Sequence, residues 1–180
     1  VKDTLIPTVN DWKLDNKSNF LRLGLNSMQQ YRIKFILGKI TAYVDALRLG
    51  KTTVDDLTSY TQTAVEIEHI MPQTCADKEL YGMNDEDFSV YINRLGNLTL
   101  LENSINKSIH NDVYANKSKA YKQSKFYLTS SLSELVNQGH DTAINRTNSL
   151  LFAWSDWNKR SIEERQEMLY RLSEMIWEMS

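Results

Sequence analysis

Between Ser27 and Leu49 the apolar residues Ile33, Ile36, Leu37, Ile40, Val44 and Leu47 recur at steps of one, three and four. That spacing gathers them on one side of an α-helix, and Gly50 offers a stop. Near the other end, Ser161 and Glu164 read as a capping box. Met168, Leu169, Leu172, Met175, Ile176 and Met179 then continue the helical period to the C-terminus, with the methionines as core filler. The middle has a different texture. Val65 to Ile70 reads as a short strand. Residues 71–93 read as a polar, irregular loop with a small helix near Glu86 to Tyr91. "GNLTLL", 96–101, reads as a second strand opened by a glycine turn. Residues 102–127 are polar and lysine-rich, best read as helical turns, and "NQGHD", 137–141, as a connector. The pattern predicts an α+β, mainly α-helical chain. An N-terminal helical lobe (1–60) and a C-terminal one (131–180) flank a strand–loop–strand–helix core (61–130).

Composition narrows the picture. The chain has 180 residues, 41% of them apolar, enough for one compact domain with a real core. No apolar run approaches the length of a membrane span, and no charged-then-apolar leader is visible. The chain starts at Val1, which suggests a fragment of a longer protein. Cys75 is the single cysteine, which excludes an internal disulfide and a multi-cysteine zinc staple and suits a reducing cytoplasm. Net charge is −2, so any nucleic-acid surface must be local.

Chemistry concentrates in "VEIEHIMPQ", 65–73. Ionisable groups in a strand need partners once buried, so Glu66, Glu68 and His69 ask for a reason. Pro72 marks the end of the strand. Neighbouring strand residues face opposite ways, so Glu68 and His69 can share a site only if the strand ends or bulges there. Asn97 opens the second strand, and Asn106 lies on the helical segment after it.

"EHIMPQ", "RLGNLTLL", "NKSIHN" and the Lys117 to Tyr121 spacing together resemble the HNH nuclease domain at the C-terminus of GmrSD-like, modification-dependent restriction enzymes; related domains occur in systems that sense phosphorothioate-marked DNA. "WNKRSIEERQEMLYRLSEMIW", 157–177, resembles that family's closing helix. The resemblance implies a small ββα-metal (His-Me finger) core between the helical lobes and a metal-dependent DNA endonuclease or nickase in an antiviral restriction system. It implies His69 as general base, Glu68 and Asn106 as metal ligands, and Asn97 as the residue that pins the loop backbone. His110, one turn after Asn106, is the alternative for the helix-borne ligand. Lys107, His110, Asn111 and Lys117 are expected near the nucleic acid. Mg²⁺ or Mn²⁺ is the expected cofactor, DNA the partner, and an NTPase- or ParB-like sensor domain an N-terminal attachment.

The chemistry suits those residue types. Histidine titrates close to operating pH and can take a proton from water, which contributes ~10²–10⁴-fold. A hard cation with oxygen ligands can neutralise charge on the phosphate. From Asn103 to Tyr127, Lys107, Lys117, Lys119, Lys122 and Lys125 stand against Asp112 alone, with Tyr114, Tyr121 and Tyr127 interleaved, a composition that suits tracking of a phosphate backbone. Glu66, on the strand face of Glu68, is a rival ligand whose blander role is a solvated carboxylate. Two other functions fit less of the pattern: a DNA-binding module that does not cut, and a helical docking domain.

Overall fold

The computed structural model describes residues 17–177 apart from Asp55 and Ala76. The expected C-terminal Met179 lies outside these residues. In chain order the elements are α1 (Lys17–Phe20), α2 (Gln30–Arg48), α3 (Thr58–Thr61), β1 (Val65–His69), α4 (Asp85–Tyr91), β2 (Leu98–Glu102), α5 (Asn103–Ile109), α6 (Tyr114–Tyr121), α7 (Tyr127–Ser130), α8 (Ala143–Asn148) and α9 (Lys159–Trp177), with 3₁₀ turns at Glu79–Tyr81 and Leu95–Asn97. The class is α+β, mainly helical, around a two-stranded sheet.

β1 and β2 run antiparallel in continuous register, Val65 opposite Glu102 through His69 opposite Leu98. Side chains of paired residues share a face. One face therefore carries Val65, Ile67, Leu98 and Leu100, which join a core with Ile33, Ile36, Leu37 and Ile40 of α2 and Leu169 and Leu172 of α9. The opposite face carries Glu66, Glu68, Thr99 and Leu101. There a second core gathers Leu101, Ile70, Met71, Tyr114, Tyr121 and Trp157. The sheet thus stands between two apolar layers, and the strand termini sit where the layers meet.

α2 ends as its sequence suggests. Gly50 adopts φ +69°, its N–H donates to Leu47 at 2.9 Å, and the Lys51 N–H reaches back to Ala46 at 2.9 Å. These bonds close a Schellman motif, whose left-handed position glycine fills without steric cost.

Two expectations are corrected. Asn158 caps α9, not Ser161: its Oδ1 accepts from the Ser161 N–H at 3.1 Å, while Glu164 is taken by Arg160 at 2.7 Å. The helix starts one turn earlier than the Ser–Glu pattern suggests. Gly96, expected as a turn glycine, is needed for close packing instead. A Cβ there would lie 2.2 Å from the Ile162 carbonyl oxygen of α9.

α9 also supplies a clamp. Arg165 is fully buried and donates from one guanidinium nitrogen to the carbonyls of Leu95, Gly96 and Leu98 at 3.4, 2.9 and 2.7 Å. Burial pulls its pKa down to about 9, still protonated at neutral pH. The turn that delivers Asn97 to the end of β1 is held by this cation.

Candidate active site

β1 ends at His69 without a bulge, so Glu68 and His69 leave the strand on opposite faces. Glu68 turns toward α6. It is 6% exposed, and its Oε1 accepts from the Lys117 ammonium at 2.7 Å and the Tyr121 hydroxyl at 3.0 Å. Burial pushes the Glu68 carboxyl above its ordinary pKa, against the pull of Lys117 and Tyr121. Lys117, itself 2% exposed, also donates to the His69 carbonyl at 2.7 Å. One ammonium therefore ties the Glu68 side chain to the backbone of the next residue.

His69 turns the other way and is half-buried. Burial holds its pKa below the ordinary histidine value, a hydrogen bond with the Asn93 side chain opposes that, and the nearby Lys117 charge reinforces it. The ring is therefore neutral at neutral pH. Its Nε2 is shielded from solvent and has no hydrogen-bond partner. A buried polar atom without a partner is costly and asks for an explanation.

Asn97, fully buried, joins three segments. Its Oδ1 accepts from the Met71 N–H and the Trp157 indole N–H, both at 2.9 Å, and its Nδ2 donates to the Ile92 carbonyl at 2.9 Å. Its own carbonyl takes the Ile70 N–H at 2.9 Å. The chain just beyond His69 is fixed by this one amide.

The expected ligands Glu68 and Asn106 have different hydrogen-bond partners. Asn106 donates from Nδ2 to Glu66 Oε2 at 2.6 Å, and Asn103 donates to Glu66 Oε1 at 2.9 Å. Glu68 is occupied by an ammonium and a phenol, so a cation held by Glu68 would first have to displace the Lys117 ammonium. Glu66 with Asn103 and Asn106 fits better in donor chemistry. A half-turn of each amide would present oxygens beside a carboxylate, a set that suits a hard cation. Among the described residues no group of three or more His, Cys, Asp or Glu side chains is placed to hold a metal.

Of the residues expected near nucleic acid, Lys107, His110 and Asn111 are exposed around the end of α5, while Lys117 is buried. His110 closes α5 at φ +43° and points its backbone N–H at Asn106 O at 3.3 Å. Asn111 exchanges bonds with Thr74, donating to its carbonyl at 2.9 Å and its hydroxyl at 2.6 Å, and so ties the post-β1 loop to the α5–α6 turn. Lys117 is inside, not on a surface. Tyr114, Tyr121 and Tyr127 are buried as well, so the interleaved tyrosines are core residues and not a stacking platform. Their signal was in the chain: Tyr114, Lys117 and Tyr121 fall at i, i+3 and i+7, one face of α6.

A family model describing the C-terminal domain of GmrSD restriction endonucleases matches residues 10–172. The chain belongs to this family. The match takes in every element from α1 to α8 and most of α9. No curated protein matches the chain. As a GmrSD C-terminal domain the chain has a nuclease role in restriction, with DNA as the implied substrate. Among the described residues no helix is long and apolar enough to cross a membrane. Sequence reasoning missed Asn93, whose side chain raises the pKa of the His69 ring in this GmrSD C-terminal domain. Asn93 lies in the polar loop 24 residues downstream and carries no local mark.

Proposed function

We propose that the domain is an HNH-type, metal-dependent endonuclease or nickase that hydrolyses DNA phosphodiester bonds, with His69 as general base. The observation that carries this reading is the His69 ring, held neutral by burial at the point where the β1 ladder stops; its Nε2 is shielded from solvent here, so the proton transfer requires this end of the strand to open to water and substrate. A neutral imidazole can take a proton from water as the oxygen attacks phosphorus; the P–O bond on the far side breaks, and the leaving oxygen recovers a proton from solvent. Asn97 and the Lys117 bond to the His69 carbonyl hold the backbone that carries the ring. Positioning of this kind multiplies the effect of the base.

A divalent cation, Mg²⁺ or Mn²⁺, belongs to the proposal. Asn106 supports it as a ligand together with a β1 carboxylate. Glu66, which Asn106 already touches, requires no salt bridge to break; Glu68 would first have to exchange its Lys117 ammonium. The Asn106 contact makes Glu66 the candidate with no ion pair to break, but Glu66 and Glu68 both lie on the sheet face opposite His69, so a cation on either carboxylate meets the ring only if the end of β1 rearranges around substrate.

Supercoiled plasmid incubated with the 180-residue chain and Mg²⁺ or Mn²⁺ tests the reading. The wild type is expected to produce nicked or linear DNA, and His69→Ala to lose ~10²–10⁴ of that rate while still binding DNA. A wild type that binds DNA but never cuts it with either metal would leave the non-cleaving DNA-binding module as the better account.

A further inference from the structure

On the outer side of Asn93 lies an open cleft of about 420 Å³, lined among others by Arg22, Asn26, Ser27, Ser89, Asn93 and Arg94. No acidic side chain lines it. Among the described residues neither guanidinium has a carboxylate within ion-pair distance. Arg22 is exposed. The Arg94 guanidinium lies over the Tyr91 ring, its central carbon 4.1 Å from the ring centre, and Tyr91 is itself fixed by its hydroxyl bond to Glu163. Two unpaired cations flanked by amide and hydroxyl donors form a surface that lacks only an anion.

The walls are built rather than incidental. The 20s loop docks antiparallel on the segment before β2: Leu25 N–H donates to Asn93 O at 2.8 Å and Leu95 N–H to Leu23 O at 2.8 Å, with Gly24 bridged to Arg94. Any Cβ on Gly24 would lie 2.1 Å from the Asn93 carbonyl oxygen, so this close approach needs glycine. Ser27 fixes the loop further by accepting from the Gly24 N–H at 3.1 Å and donating to Arg22 O at 3.3 Å. The docking presents Arg22 and Arg94, 72 positions apart in the chain, to one space. Asn93 links that space to chemistry, because this lining residue is also the one whose side chain acts on the His69 ring, raising its pKa.

We propose that the Arg22–Arg94 cleft binds a backbone phosphate of the DNA strand, next to the phosphodiester served by His69. This rests on the nuclease reading and assigns the approach path of the substrate to this side of the sheet, away from the lysines of α6.

The test measures the affinity of the 180-residue chain for a fluorescein-labelled 20-base-pair duplex across a salt series, for the wild type and for Arg22→Gln, Arg94→Gln, the double variant, Lys119→Gln and His69→Ala. Each phosphate contact contributes about one unit to the slope of log affinity against log salt. Each arginine variant is expected to lower the slope by about one and the double variant by about two, with Lys119→Gln and His69→Ala close to wild type. Circular dichroism reports whether Arg94→Gln, which also loses the Tyr91 stack, still folds; exposed Arg22 decides the matter if it does not. A wild type that cuts plasmid while Arg22→Gln keeps the full slope overturns the cleft and leaves the nuclease reading standing. A wild type with neither salt-dependent binding nor cleavage overturns both.

Discussion

The two faces of the last two residues of β1 treat charge in opposite ways. Glu68 faces inward, where its carboxylate is closed off by Lys117 and Tyr121. His69 faces the other way, where burial lowers its pKa, one nitrogen is unpartnered, and Asn93, which acts on the ring, also lines a cationic cleft. One flank is a satisfied buried ion pair. The other is an unsatisfied polar group beside unpaired arginines. Buried pairs of the first kind contribute little net stability but are costly to break, whereas unsatisfied groups of the second kind persist where function holds them. Glu68 thus sits in a satisfied buried pair while the His69 Nε2 has no partner, although the two residues are adjacent in the chain.

The sharpest way to break this comparison is Lys117→Met. If the Glu68 flank is structural, the variant strands a buried carboxylate, and urea denaturation should show a loss of about 3–5 kcal/mol. The double variant Lys117→Met, Glu68→Met should recover most of it, since an apolar pair of similar volume is often neutral or better. A single variant within about 1 kcal/mol of wild type would mean Glu68 finds another partner or water, and its reading as a sealed residue would fall.

A second, smaller contrast separates the two carboxylates of β1. Glu66→Gln loses the charge beside Asn103 and Asn106 and keeps one acceptor bond, the second returning only if that asparagine amide flips. Calorimetric Mn²⁺ affinity should drop at least about tenfold, which is ~1.4 kcal/mol, with little change in the urea midpoint. Glu68→Gln should reverse the order, losing stability through Lys117 and retaining metal affinity. The reversed result would return the ligand role to Glu68 and make Lys117 a group that the cation displaces.

How much of this was legible in the chain depends on the range of the cause. α2, its Gly50 stop, β1 and β2 were visible because periodicity and glycine chemistry act within a few residues. The Asn158 cap was obscured by a Ser–Glu pair that mimics a box one turn later. The motif around His69 marked where ionisable groups gather, yet it could not say which way each one turns, because facing depends on pairing with β2. Lys117 shows the limit most clearly. Its neighbours in sequence are lysines and polar residues, which read as a wet surface, while its partner Glu68 lies 49 positions away. Arg22 and Arg94 are joined only by the docking of the 20s loop, and nothing local to either announces the other.

The smallest predicted effect probes the His69 flank alone. If the neutral ring is the base, cleavage rate falls as acid protonates it, and the midpoint of that acid limb reads the ring's pKa. Burial and the Lys117 charge hold it below 6.5, so the limb should lie on the acid side of an ordinary histidine. The same shift has a stability counterpart. A histidine with a depressed folded pKa contributes stability that is present above its unfolded pKa and lost as pH falls through the folded one. The Asn93 hydrogen bond pulls the other way, raising the pKa. Asn93→Ala should therefore move the acid limb of kcat to still lower pH, while any change in the Arg22–Arg94 cleft registers in KM. A limb at or above 6.5 in the wild type, or one that Asn93→Ala moves upward, would show that the titrating group is not the shielded ring described here.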